Sequence, residues 1–272
     1  MLTLKYRGHS PVPVEAECIT PDNLRGKSVA EIAALMVQHG NAPAPLGEFF
    51  QVEGDASDGD IRIEGDCSRV KWLGSGMTWG RLTIFGSVGM HVGAEMRGGE
   101  LQVLGNAGDW AGAEMRGGLL HIHGDAGHLA GAAYRGAAVG MRGGVLLIDG
   151  KAGNEIGAGM RRGLIAVGGD VGDFAGVSLV AGSIFVLGNA GIRPGANMKR
   201  GSLVFLGGRP ALLPTFRLSC VYRPVFLQLY LRQLRAWGLP VRDAHLHAAW
   251  ERHCGDLVSL GKGEILLPQS AD

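Results

Sequence analysis

Between residues 59 and 207 the chain keeps returning to one short phrase, in which two apolar residues flank a variable one between bounding glycines. It reads GDIRIEG from Gly59, GRLTIFG from Gly80, GELQVLG from Gly99 and GLLHIHG from Gly118. It continues as GVLLIDG from Gly144, GLIAVGG from Gly163, GSIFVLG from Gly182 and GSLVFLG from Gly201. From Gly80 onward successive starts lie 19, 19, 26, 19, 19 and 19 residues apart, and FFQVEG, ending at Gly54, is a degenerate earlier copy. The pairs Leu82/Ile84, Leu101/Val103, Leu120/Ile122, Leu146/Ile148, Ile165/Val167 and Ile184/Val186 have a period of two. That period predicts a short strand with one face inward. The residues between them, Thr83, Gln102, His121, Leu147, Ala166 and Phe185, are expected to face outward.

Further glycines follow each strand at fixed offsets, as at Gly105, Gly108 and Gly112. A corner with positive φ, or a close approach of neighbouring backbones, selects glycine. Three such positions per repeat predict a roughly triangular turn. Small residues (Ala94, Ala113, Ala132, Ala158, Val177, Ala196) and a methionine column (Met96, Met115, Met160, Met198, with Tyr134 and Leu179 substituting) are expected to fill the inside. One repeat cannot bury its own inner face, so many must stack. The expected fold is an all-β solenoid, a right-handed single-stranded parallel β-helix with short α-helical caps at both ends. Propeller blades need longer units, and leucine-rich repeats need an asparagine ladder.

The flanks predict the caps and three segments: 1–47, an N-terminal extension with a capping helix; 48–208, the repeats; and 209–272, a C-terminal helical cap or docking segment. Ser28 and Glu31 form a capping-box signature for a helix over 28–39. Pro224 opens an apolar stripe of Leu227, Tyr230, Leu231, Leu234 and Trp237, closed by Gly238 and Pro240. A second short helix is expected after Asp243. The seven extra residues after Gly136, AAVGMRG, are expected to bulge as a local contact loop, or else to form a partial duplicate repeat.

Composition narrows this picture. Glycine takes 47 of 272 positions without a three-residue period, which excludes collagen, and 46% hydrophobic content argues against disorder. The net charge of +1 gives no bulk case for nucleic acid or an anionic membrane. Arg outnumbers Lys 20 to 6, which suggests a GC-rich bacterial genome. Cys18, Cys67, Cys220 and Cys254 form no CxxC pair, so neither a disulfide framework nor a four-thiolate site is expected. With no signal-like or membrane-length apolar run, a soluble cytoplasmic protein is the default.

Chemistry is sparse. His121 and His123 alternate in one strand, a two-ligand geometry, but no third ligand of matching spacing is visible, although His91 and His128 lie on nearby corners. No metal site is therefore expected. His245, His247 and His253 are read as surface or interface residues of the C-terminal helix. Carboxylates such as Glu95, Glu114, Asp109 and Asp173 occupy turns, where corner Asp residues usually bond their own backbone. No catalytic residues are expected. The feature that stands out is a basic edge: Arg97, Arg116, Arg135, Arg161 and Lys199 precede successive repeat boundaries, with Arg142, Arg162 and Arg200 beside them. Stacking would set neighbours about 5 Å apart. Such an edge is either solvated and neutralised by Glu95 and Glu114, or a track for a polyanion or an acidic partner subunit.

The repeat pattern in GNAGDWAGAEMRGG (105–118) and GDVGDFAGVSLVAG (169–182) resembles the C-terminal β-helix domain of glutamate synthase. The stretches GDCSRVKWLGSGMTWG (65–80), GMHVGAEMRGGE (89–100), GHLAGAAYRG (127–136) and GIRPGANMKRG (191–201) more closely resemble the C subunit of formylmethanofuran dehydrogenase. The likeness runs from about residue 48 to 207, and glycine spacing alone does not separate the two families. The second resemblance implies a scaffold subunit of a multi-subunit complex whose catalysis and metals sit in partner subunits. Two such complexes are open: an archaeal tungsten or molybdenum dehydrogenase, and a bacterial formyltransferase/hydrolase. The latter would pass a formyl group from formyl-tetrahydromethanopterin to a methanofuran analogue and release formate, and the Arg-rich composition favours it. The carrier's glutamate-rich tail would be a polyanion suited to the basic edge. A stand-alone β-helical binding module or enzyme acting on an acidic polymer is the alternative.

Overall fold

The computed structural model describes residues 1–8 and 11–269 of the chain. The N-terminal segment contributes β1 (Leu2–Tyr6), β2 (Val14–Glu15), α1 (Pro21–Leu24), α2 (Val29–Ala33), β3 (Met36–His39) and β4 (Ala42–Pro45). The repeats carry β5 (Phe50–Gly54), β6 (Asp60–Glu64), β7 (Val70–Lys71), β8 (Arg81–Phe85), β9 (Glu100–Val103) and β10 (Arg116–Ile122). They continue with β11 (Arg142–Ile148), β12 (Arg162–Val167), β13 (Ser183–Val186) and β14 (Ser202–Phe205). The chain closes with β15 (Arg217–Tyr222), α3 (Val225–Ala236), α4 (Asp243–His247), β16 (Trp250–Gly255) and β17 (Gly263–Pro268).

Among the described residues the protein is mostly β, built around one large, mostly parallel sheet of 13 strands ordered β15-β16-β17-β14-β13-β12-β11-β10-β9-β8-β6-β1-β5. From β6 to β14 each repeat adds one parallel strand in register, so Leu82, Leu101, Leu120, Leu146, Ile165, Ile184 and Leu203 stand in one column. All seven are fully buried, which at roughly 1.5–3 kcal/mol per aliphatic side chain makes the column a principal stabiliser. A second parallel ladder of single bridges joins Cys67, Val88, Ala107, Ala126, Ala152, Val171 and Ala190. A smaller sheet, β4-β3-β2-β7, lies beside the first repeats.

The glycine columns answer two different needs. Gly118 has φ +81°, the left-handed region, and a Cβ there would also lie 2.8 Å from the Gly99 carbonyl oxygen. Gly188 has no such φ, but a Cβ would stand 2.4 Å from the Gly169 carbonyl carbon. Two further left-handed columns carry side chains, among them Trp72, His91, Trp110 and Leu129 in one and Glu95, Glu114, Ser178 and Asn197 in the other.

Several expectations change. The methionine column runs Met77, Met96, Met115, Met141, Met160, Leu179, Met198, all fully buried, with Met141 where Tyr134 was expected. The extra residues leave the stack at Ala133, whose N–H bonds Ala158, and rejoin at Met141 and Arg142, whose N–H groups reach Gly131 and Met115. Ala94, Ala113 and Ala132 are buried, whereas Ala158, Val177 and Ala196 are only half-buried. The capping box of Ser28 and Glu31 forms, but α2 ends at Ala33, and Met36–His39 pairs as a strand with β2 and β4. Asp109 and Asp173 do not bond their own backbone. Their Oδ1 atoms accept from the N–H of His128 (2.7 Å) and Ile192 (2.9 Å), one repeat on.

The C-terminal segment is not simply a helical end cap. Strand β17 pairs parallel with β14, and β16 and β15 follow antiparallel, so the sheet itself is extended beyond the last repeat. Helix α3 lies on the side of the stack. Its Leu227, Leu231 and Leu234 are buried against Leu147, Ala166, Phe185 and Val204, residues on the outward face of the strands. Leu147, Ala166 and Phe185 thus face outward as expected but are covered, because this column turns apolar where an amphipathic helix is available to cover it. His253 lies in β16 rather than a helix, and His245 is buried. Burial and the adjacent Arg242 hold its imidazole below the ordinary histidine value. No helix is long and apolar enough to cross a membrane among the described residues.

Candidate functional site

The stacking register decides which basic residues share an edge. The N–H groups of Arg97, Arg116, Arg142, Arg161, Val180 and Lys199 donate in turn to the carbonyls of Met77, Met96, Met115, Met141, Met160 and Leu179. The rungs are thus Arg97, Arg116, Arg142, Arg161, Val180 and Lys199. Arg135 belongs to the bulged segment, and Arg142 takes the rung it was expected to hold. The signal was present in the sequence: MRGG occurs at 96–99, 115–118 and 141–144. Arg162 and Arg200 each follow a rung residue directly, and Arg162 stands beside Arg142 in the strand register.

The acids next to this edge are unequally shared. Glu95 lies 3.4 Å from the Arg116 guanidinium, and Glu114 lies 4.0 Å from that of Arg142. Both glutamates occupy one left-handed column, each one repeat before the arginine it faces. The same column continues as Ala133, Gly159, Ser178 and Asn197, following the hydrogen bonds between repeats. It has no carboxylate to offer Arg161 or Lys199. Arg161, Arg162, Lys199 and Arg200 are exposed and have no carboxylate partner among the described residues. They surround a concavity of about 500 Å³ floored by residues 180–183 and flanked by Tyr230 of α3 and Leu260. Four cations around a shallow, solvent-open depression form an anion-accepting surface whose strength falls with salt.

The remaining candidates separate. His91 stacks on Trp72 with ring centroids 4.1 Å apart, and its Nδ1 meets the Tyr134 hydroxyl at 3.0 Å. Burial holds the His91 imidazole low and pushes the Tyr134 phenol up. The His128 Nδ1 accepts from the Asn154 N–H at 2.9 Å, so neither ring turns toward His121. His121 and His123 instead both face Asp149, a residue the sequence pattern did not single out. The four cysteines are free, and burial pushes the Cys67 thiol up to about 12.

No family model matches the chain. The C subunit of the molybdenum-containing formylmethanofuran dehydrogenase 1 of Methanothermobacter thermautotrophicus is 48% identical over 83 residues, 30% of this chain and 21% of that protein. The C subunit of the tungsten-containing formylmethanofuran dehydrogenase 2 of the same organism is 45% identical over 87 residues, 30% of this chain and 32% of that protein. The chain therefore matches about a fifth to a third of the length of these curated relatives. A chain in the crystal structure of the formyltransferase/hydrolase complex of Methylorubrum extorquens with methylofuran aligns almost end to end. It has a TM-score of 0.91 and 37% identity, covering 98% of this chain and 100% of that one.

Proposed function

The chain belongs to the family of formylmethanofuran dehydrogenase C subunits, and on that premise we propose that it is the scaffold subunit of a formyltransferase/hydrolase complex. In this reading the stack is a right-handed parallel β-helix, its repeats filling 48–208 between an N-terminal extension (1–47) and a C-terminal docking segment (209–272). The complex transfers a formyl group between formyl-tetrahydromethanopterin and a methanofuran-type carrier and releases formate. The partner subunits hold the catalytic metal and the reacting groups, and this chain supplies neither. The end-to-end likeness to a chain of the Methylorubrum complex favours this over a molybdenum or tungsten dehydrogenase, whose subunits match only in part.

The cavity gives the scaffold a second task, holding the carrier's polyglutamate tail. The observation that carries this is the cluster of Arg161, Arg162, Lys199 and Arg200, which the acidic column leaves without partners. Exposed ion pairs are individually weak, at most about 1 kcal/mol, so only a ligand with several carboxylates would be held. A native mass measurement on material purified from the source organism tests the scaffold role. Co-purification with larger chains supports it, and a lone monomer or trimer active by itself contradicts it.

A further inference from the structure

We propose that His121, His123 and Asp149 form a binding site for a divalent transition-metal ion of the zinc type. His121 Nε2 lies 2.8 Å from Asp149 Oδ1, and His123 Nδ1 lies 2.9 Å from Asp149 Oδ2. The three donor atoms all fall within 4.8 Å of one another. Strand alternation puts both imidazoles on one face of the sheet, with ring centroids 4.0 Å apart. Parallel pairing then supplies the third ligand. His121 pairs with Leu147 and Ile122 with Ile148, so Asp149 continues the register beside His123.

The donor chemistry selects the ion. Two neutral imidazoles and one carboxylate suit zinc, nickel or copper, whereas magnesium and calcium prefer all-oxygen sites. A tetrahedral ion bound at about 2.0–2.1 Å needs its ligand atoms roughly 3.3 Å apart, so the two histidine–carboxylate contacts have to open by about half an ångström while any wider pair of donors closes around the ion. Part of this is pre-organised, because His121 is buried and both histidines stand in one repeat that is hydrogen-bonded to the repeat before it. Three protein ligands leave a fourth position open for water or a partner's side chain.

The position suggests what the ion does. Asp149 follows the histidines across the longest interval, 26 residues instead of 19, between Gly118 and Gly144. A bound ion would clip β10 to β11 where the extra loop interrupts the stack, and ions that bind only the folded state stabilise it.

The test titrates the untagged, metal-free full chain with Co²⁺ and follows its visible absorption. One equivalent is expected to bind, to be displaced by Zn²⁺ but not by a hundredfold excess of Mg²⁺, and to raise the melting temperature. His123→Ala, at a half-exposed position, and the near-isosteric Asp149→Asn should each weaken binding by roughly tenfold or more. Both should keep the metal-free melting temperature of the parent. No binding by the parent chain, or equal binding by the parent and both variants, overturns the proposal.

Discussion

The two halves of the repeat stack share a backbone and an apolar interior and differ in what their outward columns carry. In the first half the outward column is Arg62, Thr83 and Gln102, polar and half-buried with no helix over it, and the basic edge is answered by Glu95 and Glu114. In the second half that column becomes Leu147, Ala166, Phe185 and Val204 and is covered by α3. The basic edge there meets Ala133, Gly159 and Ser178 in place of carboxylates. A repeat fold fixes where side chains stand and leaves what they do to each column separately, so function is read along columns and not within one repeat.

The covered half should suffer most from losing its outward residues. Phe185→Ala is expected to cost about 3–5 kcal/mol in denaturant unfolding. Thr83→Ala, at the equivalent position in the open half, should stay within about 0.5 kcal/mol. Equal effects would erase the contrast. Next in size is the charge difference. Replacing Arg161, Arg162, Lys199 and Arg200 together by Ala should weaken binding of a polyglutamate peptide roughly 30-fold, from four exposed pairs at about 0.5 kcal/mol each. The double change of Arg116 and Arg142, already paired with glutamates, should alter it little.

The comparison can also be made to disappear. Ser178 has φ 55°, the same as Glu95, so Ser178→Glu would give Lys199 the kind of neighbour that Arg116 has. Peptide affinity should fall about two- to fivefold, and more at low salt than at high. The smallest effect is kinetic. In the free chain, exposed Cys220 should be alkylated first, and Cys67, buried with its thiol pushed up to about 12, should be last, as mass spectrometry of partially labelled protein would read out.

Much of this was legible in the sequence. The period-two pairs, the glycine columns and the capping box at Ser28 all lead to elements that form. What was not legible depends on register across the irregular interval. Counting forward by 19 assigns a rung to Arg135 and hides Asp149 from His123, whereas the hydrogen bonds of Met141 and Arg142 show where the chain rejoins the stack. The apolar turn of the outward column at Leu147 is visible in the sequence but says little within a single repeat. As a column, with the stripe of Leu227, Leu231 and Leu234, it predicts a helix on the side of the stack. The strands β15 to β17 carry no repeat signal, because they extend the sheet without belonging to the repeating unit.

The most direct test of the account is tail-length discrimination in the assembled complex. Affinities for a carrier with a long polyglutamate tail and for one with a single glutamate are compared between the native complex and one carrying the fourfold Ala change at Arg161, Arg162, Lys199 and Arg200. The native complex should prefer the long tail and the altered complex should bind both alike; an unchanged preference in the altered complex would contradict the account.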